Sequence, residues 1–278
     1  MNHSAAFVTI VVSICVASTS LGQDVGQLKQ AKDVPGLVRL LRHRDGKIRS
    51  SAAVALSGVI REVDDSKSLA RYVLPLIDVT LRDPYATVRE YAGRALQHCL
   101  QNVTDVSILR QAVPPMVDSL HATEVEEKCR RYCAVQLSRV IPRIQHEPLL
   151  VESVPRLLAA TIDDPNEDVR EYAGRALKSA LPRVRDKQLL HTGSVTLAKT
   201  LQHKDAKRRK YAAVLLAWLV LKVTELDTLR TISVRVGEAA GRDRDDDVRE
   251  YAGRATRHIR QTLKAAATDA KAARSVSR

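Results

Sequence analysis

The chain is short of aromatic residues: Phe, Trp and Tyr together make up 3% of its 278 residues. A core must therefore be built mainly from Ala, Val, Leu and Ile, and with 45% hydrophobic residues the chain has enough of them to fold. Few aromatic rings also argue against a surface that stacks the bases of single-stranded nucleic acid. Gly and Pro are scarce too, at 11 and 10 residues, and this disfavours a turn-rich all-β fold.

Charged residues are missing altogether from residues 1–22, and residues 5–17 form a nearly continuous apolar run. The pattern predicts a cleavable signal peptide with a cut after Gly22, so that the mature chain is exported to the periplasm or secreted. An uncleaved apolar leader is the alternative. Lipid attachment at Cys15 is disfavoured by the preceding Ile14. The run is too short to cross a bilayer, which takes about 20 residues, and no transmembrane segment is expected.

A nine-residue segment recurs along the chain. VREYAGRAL at residues 88–96 returns identically at 169–177 and with one change at 248–256. Weaker relatives lie at residues 48–56, 129–137 and 208–216. All six copies share one arginine, which is called position 0 of its repeat, and other positions are counted from it. This arginine recurs every 39 to 41 residues: Arg49, Arg89, Arg130, Arg170, Arg209 and Arg249. This spacing predicts an array of six repeats.

Each repeat reads as a pair of helices. In the second copy, Val88, Ala92, Leu96 and Cys99 form one narrow apolar stripe at helical spacing, which predicts a second helix packed on one side. An apolar first helix precedes it, as at residues 69–81, 106–120 and 149–162, and turn residues such as 163–166 separate the two. Such a hairpin cannot bury its apolar face alone, so neighbouring hairpins must stack.

Asp-Pro at residues 83–84 followed by Val-Arg at 88–89, and the same pairs at 164–165 and 169–170, resemble HEAT repeats. The likeness is greatest to the short bacterial HEAT-like class named after phycobilisome lyases, and it covers about residues 33–264. It implies an all-α fold, a right-handed α-solenoid of six helical hairpins with a HEAT-like, armadillo-type superhelix. The expected organisation is a signal peptide (1–22), the solenoid (23–264) and a basic, Ala-rich C-terminal tail (265–278).

The resemblance also implies an ion-pair ladder, in which an acid at position −6 pairs with the arginine of its own repeat. Asp83, Asp164 and Asp243 match this position, and Glu124 matches it conservatively. His43 and His203 stand there in the first and fifth copies, so the ladder is expected to be interrupted, with Asp45 and Asp205 as candidate substitutes. Even copies carry Gly at +4 where odd copies carry Ala, which suggests close helix approach at Gly93, Gly174 and Gly253.

Positions +1 and +5 point away from the apolar stripe, and in this family the second helices line the concave face. The +1 column consists of Ser50, Glu90, Arg131, Glu171, Lys210 and Glu250. From Glu90 onward its charges alternate in sign, so neighbouring helices are expected to place opposite charges side by side in a self-neutralising face. The +5 column alternates Val and Arg: Val54, Arg94, Val135, Arg175, Val214 and Arg254. Either these six bind an extended acidic segment, with Arg on carboxylates and Val on apolar groups, or the Arg stems merely cover the valines.

Tyrosine at +2 (Tyr91, Tyr132, Tyr172, Tyr211 and Tyr251) is interpreted as a wedge between first and second helices, and otherwise as a ligand contact. Cys99, Cys129 and Cys133 fall at core positions and are expected to act as buried hydrophobic residues, not as a disulfide or metal ligands. Trp218 is interpreted as a boundary residue.

No motif for catalysis is present, and the single His146-Glu147 pair falls short of the several pairs that the related deoxyhypusine hydroxylases use. The sequence therefore predicts no enzyme, no cofactor and no metal, but a monomeric, exported scaffold that binds a protein, preferably an acidic one. The alternative is a polyanion or nucleic acid. It follows from the net charge of +13, a basic cluster (Lys204, Lys207, Arg208, Arg209 and Lys210) and the tail.

Overall fold

The computed structural model describes residues 25–122 and 124–276. The predicted signal peptide and its cut after Gly22 lie outside the described residues. Within them the chain is all-α without a strand, and the expected fold class is confirmed. Twelve helices follow the short helical stretch at residues 25–30.

The twelve helices alternate as first and second members of six hairpins. The first helices are α1 (Val34–Leu40), α3 (Ser66–Arg82), α5 (Val106–Ser119), α7 (Glu147–Asp163), α9 (Lys187–Thr200) and α11 (Leu226–Arg242). The second helices are α2 (Gly46–Val59), α4 (Ala86–Asn102), α6 (Glu127–Val140), α8 (Glu167–Ala180), α10 (Ala206–Leu219) and α12 (Asp246–Val276). α12 runs on past residue 265, where the tail is expected to begin, and the side chains of residues 267–273 are exposed.

The chain divides into two compact units. The first unit extends to Pro115 and includes Glu124–Tyr132, and the second holds Met116–Thr123 and everything from Cys133 onward. In the first unit α4 packs against both α3 and α2, and in the second α12 packs against both α11 and α10. A second helix thus contacts its own first helix and the second helix of the neighbouring repeat.

The predicted apolar stripe forms the core. Val88, Ala92 and Cys99 are fully buried, and Leu96 is 3% exposed. Two members of the stripe depart from this pattern, because Arg208 at −1 of the fifth repeat and Thr256 at +7 of the sixth are only half-buried.

The arginine at position 0 fastens the turn of its own hairpin through backbone atoms. Arg49 Nη1 donates to the His43 carbonyl oxygen at 2.9 Å, and Arg209 Nη1 donates to that of His203 at 2.9 Å. Arg89, Arg170 and Arg249 make the same bond to the residue at −6, at 2.7, 2.8 and 2.7 Å. Because the acceptor is a carbonyl, the position does not require an acid.

In the second and sixth repeats the acid at −6 is bound instead by the arginine of the preceding repeat. Arg49 bridges to Asp83 at 2.7 Å, and Arg209 bridges to Asp243 at 2.7 Å, each through two nitrogens. At Asp83 and Asp243 the expected pairing within a repeat is therefore wrong, and so is the expected interruption at His43 and His203, since the arginines of those two repeats make the bidentate bridges. Asp45 and Asp205 cap α2 and α10, and beside the hydrogen bonds of the two bridges their charges help to raise the pKa of Arg49 and of Arg209.

Close helix approach is confirmed at two of the three glycines. A Cβ on Gly93 would lie 3.4 Å from Thr80 Cγ2 of α3, and one on Gly174 would lie 3.2 Å from Thr161 Cγ2 of α7. At Gly253 the nearest atom is 3.8 Å away and belongs to the flexible Arg257 side chain. The third glycine is therefore not required by packing.

Gly253→Ala should raise the free energy of unfolding by about 0.5–1 kcal/mol, because alanine restricts the unfolded chain and the site has room for a methyl group. Gly174→Ala should gain less or lose stability, since its methyl group would press on the fully buried Thr161. Urea denaturation of the two variants measures the difference. Equal gains at both positions would contradict the packing constraint at Gly174.

Asp243→Asn should lower the free energy of unfolding by about 1–3 kcal/mol, as expected for hydrogen bonds between charged groups. Burial opposes ionisation of Asp243, but the hydrogen bond and charge of Arg209 together with backbone hydrogen bonds outweigh it, and the pKa of this carboxyl is lowered. The contribution of the bridge is thus full above the unfolded pKa of about 3.9 and disappears as the pH falls through the lower folded pKa.

The measurement is urea denaturation between pH 6 and pH 2, in about half-unit steps. The matched control is Asp246→Asn, because Asp246 is 88% exposed where it pairs with Arg249. That exposed pair should contribute about 0–1 kcal/mol. A stability gap between parent and Asp243→Asn that stays constant down to the lowest pH would contradict the assignment.

Candidate functional site

The candidate site is the outward side of the second helices, and no member of the +5 column is buried. Val54 is 44% exposed, Arg94, Arg175 and Arg254 are exposed, and Val135 and Val214 are half-buried. The +1 column is likewise free of buried residues. Both columns are therefore accessible, as their phase on the helix requires.

Each arginine of the +5 column is held by two neighbours on its own helix. Arg94 pairs with Glu90 at 2.5 Å, and its guanidinium carbon lies 4.6 Å from the centre of the Tyr91 ring. The same arrangement recurs with Glu171, Tyr172 and Arg175 and with Glu250, Tyr251 and Arg254, where both ring distances are 4.9 Å. Such a cation–π contact is worth about 0.5–1 kcal/mol at an exposed site. The guanidinium groups are therefore pre-positioned on the surface.

Tyr132 extends this arrangement to the next repeat in the first unit. A hydrogen bond with Tyr132 raises the pKa of the Arg94 guanidinium, and the Tyr132 ring lies 3.7 Å from the Cβ position of Gly93. Tyr132 thus packs between neighbouring second helices. The predicted wedge between first and second helices does not describe this contact, and Tyr91, Tyr172 and Tyr251 lie beside arginines.

A groove of about 380 Å³ runs between α8 and α10 in the second unit. Its lining comes from Glu171, Gly174, Arg175 and Lys178 of α8 and from Lys210, Tyr211, Val214 and Leu215 of α10. The structure thus brings together two predicted site residues, Arg175 and Val214. Gly174 and Leu215 are buried, whereas Arg175, Lys178 and Lys210 are exposed. The groove therefore combines an apolar floor with a predominantly basic rim.

Lys178 and Leu215 were not among the predicted site residues. Lys178 stands at +8, one helical turn beyond Gly174, and could have been found by extending the outward face by that turn. Burial raises the pKa of Tyr211, which keeps the phenol neutral in the groove.

Val54 lies in a different groove, of about 360 Å³, in the first unit. Its other lining residues are Val25, Gly26, Lys29, Ser50, Ser51 and Ala55. No arginine lines it. Val54 is therefore not brought together with Arg94 there, unlike the Val–Arg combination between α8 and α10.

Charges of the +1 column pair across repeats with position −2 of the next repeat. Glu90 binds Lys128 at 2.6 Å, and Lys210 binds Asp247 at 2.5 Å. The predicted pairing of +1 residues with one another is wrong in these two cases, because the neighbouring helix is offset by about one turn. The self-neutralising face itself is present.

The basic cluster at residues 204–210 is largely bound by carboxylates. Lys207 binds Glu167 at 2.6 Å, Arg209 binds Asp243 and Lys210 binds Asp247. Arg208 lies between Asp163 and Asp205, at 3.8 and 3.7 Å. Four of its five cations thus serve contacts within the fold, which leaves little of the cluster for an external polyanion.

The remaining reactive residues have structural surroundings. Cys99, Cys129 and Cys133 are buried and form no disulfide, as expected, and burial raises the pKa of Cys99 to about 12. His146 Nδ1 accepts a hydrogen bond from the Leu149 N–H and so caps α7. Glu147 accepts a hydrogen bond from the Arg185 N–H at 2.6 Å and so holds the loop before α9.

The described part of the chain holds neither a metal-binding cluster nor a membrane-spanning helix. No group of three or more His, Cys, Asp or Glu side chains that could hold a metal occurs among residues 25–122 and 124–276. No helix in that part of the chain has both the length and the apolar character needed to cross a bilayer.

No protein-family model matches the chain, and no curated protein matches it in sequence. Solved structures do. An archaeal HEAT-like repeat protein from Thermococcus onnurineus aligns with a TM-score of 0.57 at 16% identity, over 88% of this chain and 97% of that one. A designed armadillo repeat protein aligns at 0.54 and 16% identity, over 81% and 99%. An engineered protein aligns at 0.55 and 19% identity, over 83% and 97%. The chain thus has the fold of HEAT-like and armadillo repeat proteins.

A thiol reagent at pH 8 should modify none of Cys99, Cys129 and Cys133 in a folded Cys15→Ser chain. The three side chains are at most 3% exposed, and a thiol with a pKa of about 12 carries almost no thiolate at that pH. Colour release from a disulfide reagent along a urea titration is the measurement. Fast reaction of any of the three before the helical signal is lost would contradict their structural role.

Proposed function

We propose that the chain is a non-enzymatic protein-binding scaffold, exported and monomeric, that holds an extended acidic segment of a partner along its second helices. The observation that carries the proposal is the groove between α8 and α10, where Arg175 and Val214 share one surface. An arginine binds a carboxylate through two parallel hydrogen bonds, and the apolar floor takes an aliphatic side chain. The repeat fold suits this role, because it presents successive helices side by side.

The fixed arginine side chains support the acidic character of the partner. Arg94, Arg175 and Arg254 are each held by a glutamate and a tyrosine of their own helix. A side chain that is already ordered loses less conformational entropy on binding, and this favours recognition by these groups. The glutamates reduce the net charge of the surface, so the partner should be recognised through directed contacts more than through bulk attraction.

Binding of a polyanion is the weaker candidate. It would depend on the net charge of +13, yet most of the basic cluster at residues 204–210 is engaged by carboxylates. The exposed end of α12, with Lys264 and Lys271, remains as its main support. Export, proposed from the apolar residues 1–22, would also separate the chain from genomic nucleic acid.

The test is a crosslinked pull-down from the exported fraction of the native cell, at low and high salt. Arg94→Glu/Arg175→Glu/Arg254→Glu should lose a discrete protein partner that the parent chain captures, because each new carboxylate repels the acidic segment. The matched control is Arg71→Glu/Arg110→Glu/Arg230→Glu, which makes the same charge change at exposed positions of first helices. Helicity of both variants is verified by circular dichroism.

Capture by the parent and the control, with loss by the first variant, is the expected result. Equal capture by all three chains would reject the second-helix surface as the site. Recovery of nucleic acid or glycan alone, lost at high salt, would establish the polyanion function in its place.

A further inference from the structure

The outward side of α10 carries a row of accessible apolar side chains that the stacking of the repeats does not require. Val214 is half-buried, and one turn further along Trp218 is 46% exposed. Leu221, in the turn that follows α10, is 54% exposed. Single exposed apolar residues are ordinary on a protein surface, but successive ones on one face next to a groove indicate an interaction site.

Comparison among the repeats shows that Trp218 has no packing task common to the array. Trp218 stands at +9 of the fifth repeat. The other five repeats carry small or polar residues there: Gly58, His98, Arg139, Ser179 and His258. The hairpins therefore stack without an aromatic residue at this position.

Lys178 connects Trp218 to the groove. Its ammonium nitrogen lies 5.0 Å from the centre of the Trp218 ring, and its side chain lines the groove between α8 and α10. The other two cations of the groove have acidic partners, since Arg175 pairs with Glu171 and Lys210 pairs with Asp247. Among the described residues, Lys178 has no carboxylate partner. It is the uncompensated positive charge of the groove, and it lies beside the exposed indole.

We infer that this end of the groove is an anchor site for one large apolar side chain that has a carboxylate next to it in the partner segment. The apolar side chain packs against Trp218 and Val214, and the carboxylate binds Lys178. The inference rests on the proposed function and adds to it a defined partner motif, Asp or Glu adjacent to Phe, Leu or Ile. Tryptophan is among the residues on which binding energy concentrates, because its large rigid ring loses little entropy on contact.

Trp218 also supplies the readout, because it is the one tryptophan of the chain. A library of random twelve-residue peptides displayed on phage is selected against the full chain. Enriched peptides are then synthesised and titrated, with peptide anisotropy reporting binding and tryptophan emission reporting contact at Trp218. We expect the enriched peptides to share the motif and to change the emission on binding.

Trp218→Ala and Lys178→Ala should each weaken these peptides by about tenfold or more, while Trp218→Phe should retain most of the affinity. The matched controls are Val234→Ala and Lys199→Ala, which remove an exposed apolar and an exposed basic side chain from first helices. They should leave affinity unchanged. Circular dichroism verifies that every variant is folded.

The two hypotheses fail in different ways. Acidic peptides that depend on Arg175 but bind Trp218→Ala and Lys178→Ala as tightly as the parent would overturn the anchor site and leave the proposed function standing. Enriched peptides without acidic residues, insensitive to Arg175→Glu, would overturn both. So would a selection that enriches no peptide. Polyglutamate binding that is lost at high salt and indifferent to Trp218 would replace both with simple charge attraction.

Discussion

The regular spacing of the hairpins depends on the hydrogen bonds made by the arginine at position 0. One end of its guanidinium closes the turn of its own hairpin through a backbone carbonyl, and in Arg49 and Arg209 the other end grips an aspartate of the next hairpin. A hairpin with an apolar stripe is stable only against a neighbour, yet apolar contact alone does not fix how far one hairpin slides along the next. A bidentate bridge does, because its two bonds require one relative position. The register of α2 against α4, and of α10 against α12, follows from that constraint.

Once register is fixed, the outward side of each second helix becomes a repeated surface. The Glu–Tyr–Arg arrangement of α4, α8 and α12 uses positions +1, +2 and +5 of one helix, and therefore recurs wherever the sequence recurs. Each contact contributes only tenths of a kcal/mol to about 1 kcal/mol. Their role is geometric rather than stabilising: an arginine held against a tyrosine presents its free nitrogens in one direction. In the fifth repeat Val214 then stands next to one such ordered cation, Arg175.

The features that could be predicted from the sequence are those that depend on helical period alone. Ala92 and Leu96 are buried and Arg94 is exposed because of their phase on one helix. The partner of Asp83 could not be predicted in the same way, since its distance to Arg49 depends on how neighbouring hairpins are offset. For the same reason the charges of the +1 column pair with position −2 of the next repeat, as Glu90 does with Lys128. Trp218 could not be recognised as a site residue from the sequence, because a lone aromatic residue belongs to no repeat pattern. Its exposure and its contact with Lys178 emerge only when α8 and α10 lie side by side.

These differences suggest how a repetitive fold acquires specificity. Residues common to the copies must satisfy the same packing in each repeat, so they cannot distinguish one stretch of a partner from the next. Discrimination requires departures from the repeat, and the fifth copy concentrates them. It places Arg208 where most copies have an apolar residue, and the cations of its basic cluster pair with neighbouring carboxylates. It also exposes Trp218 where other copies are small or polar. Because the common residues of this copy still bridge to the sixth through Arg209 and Asp243, the array tolerates these substitutions, and a partner segment acquires one position at which it can be recognised.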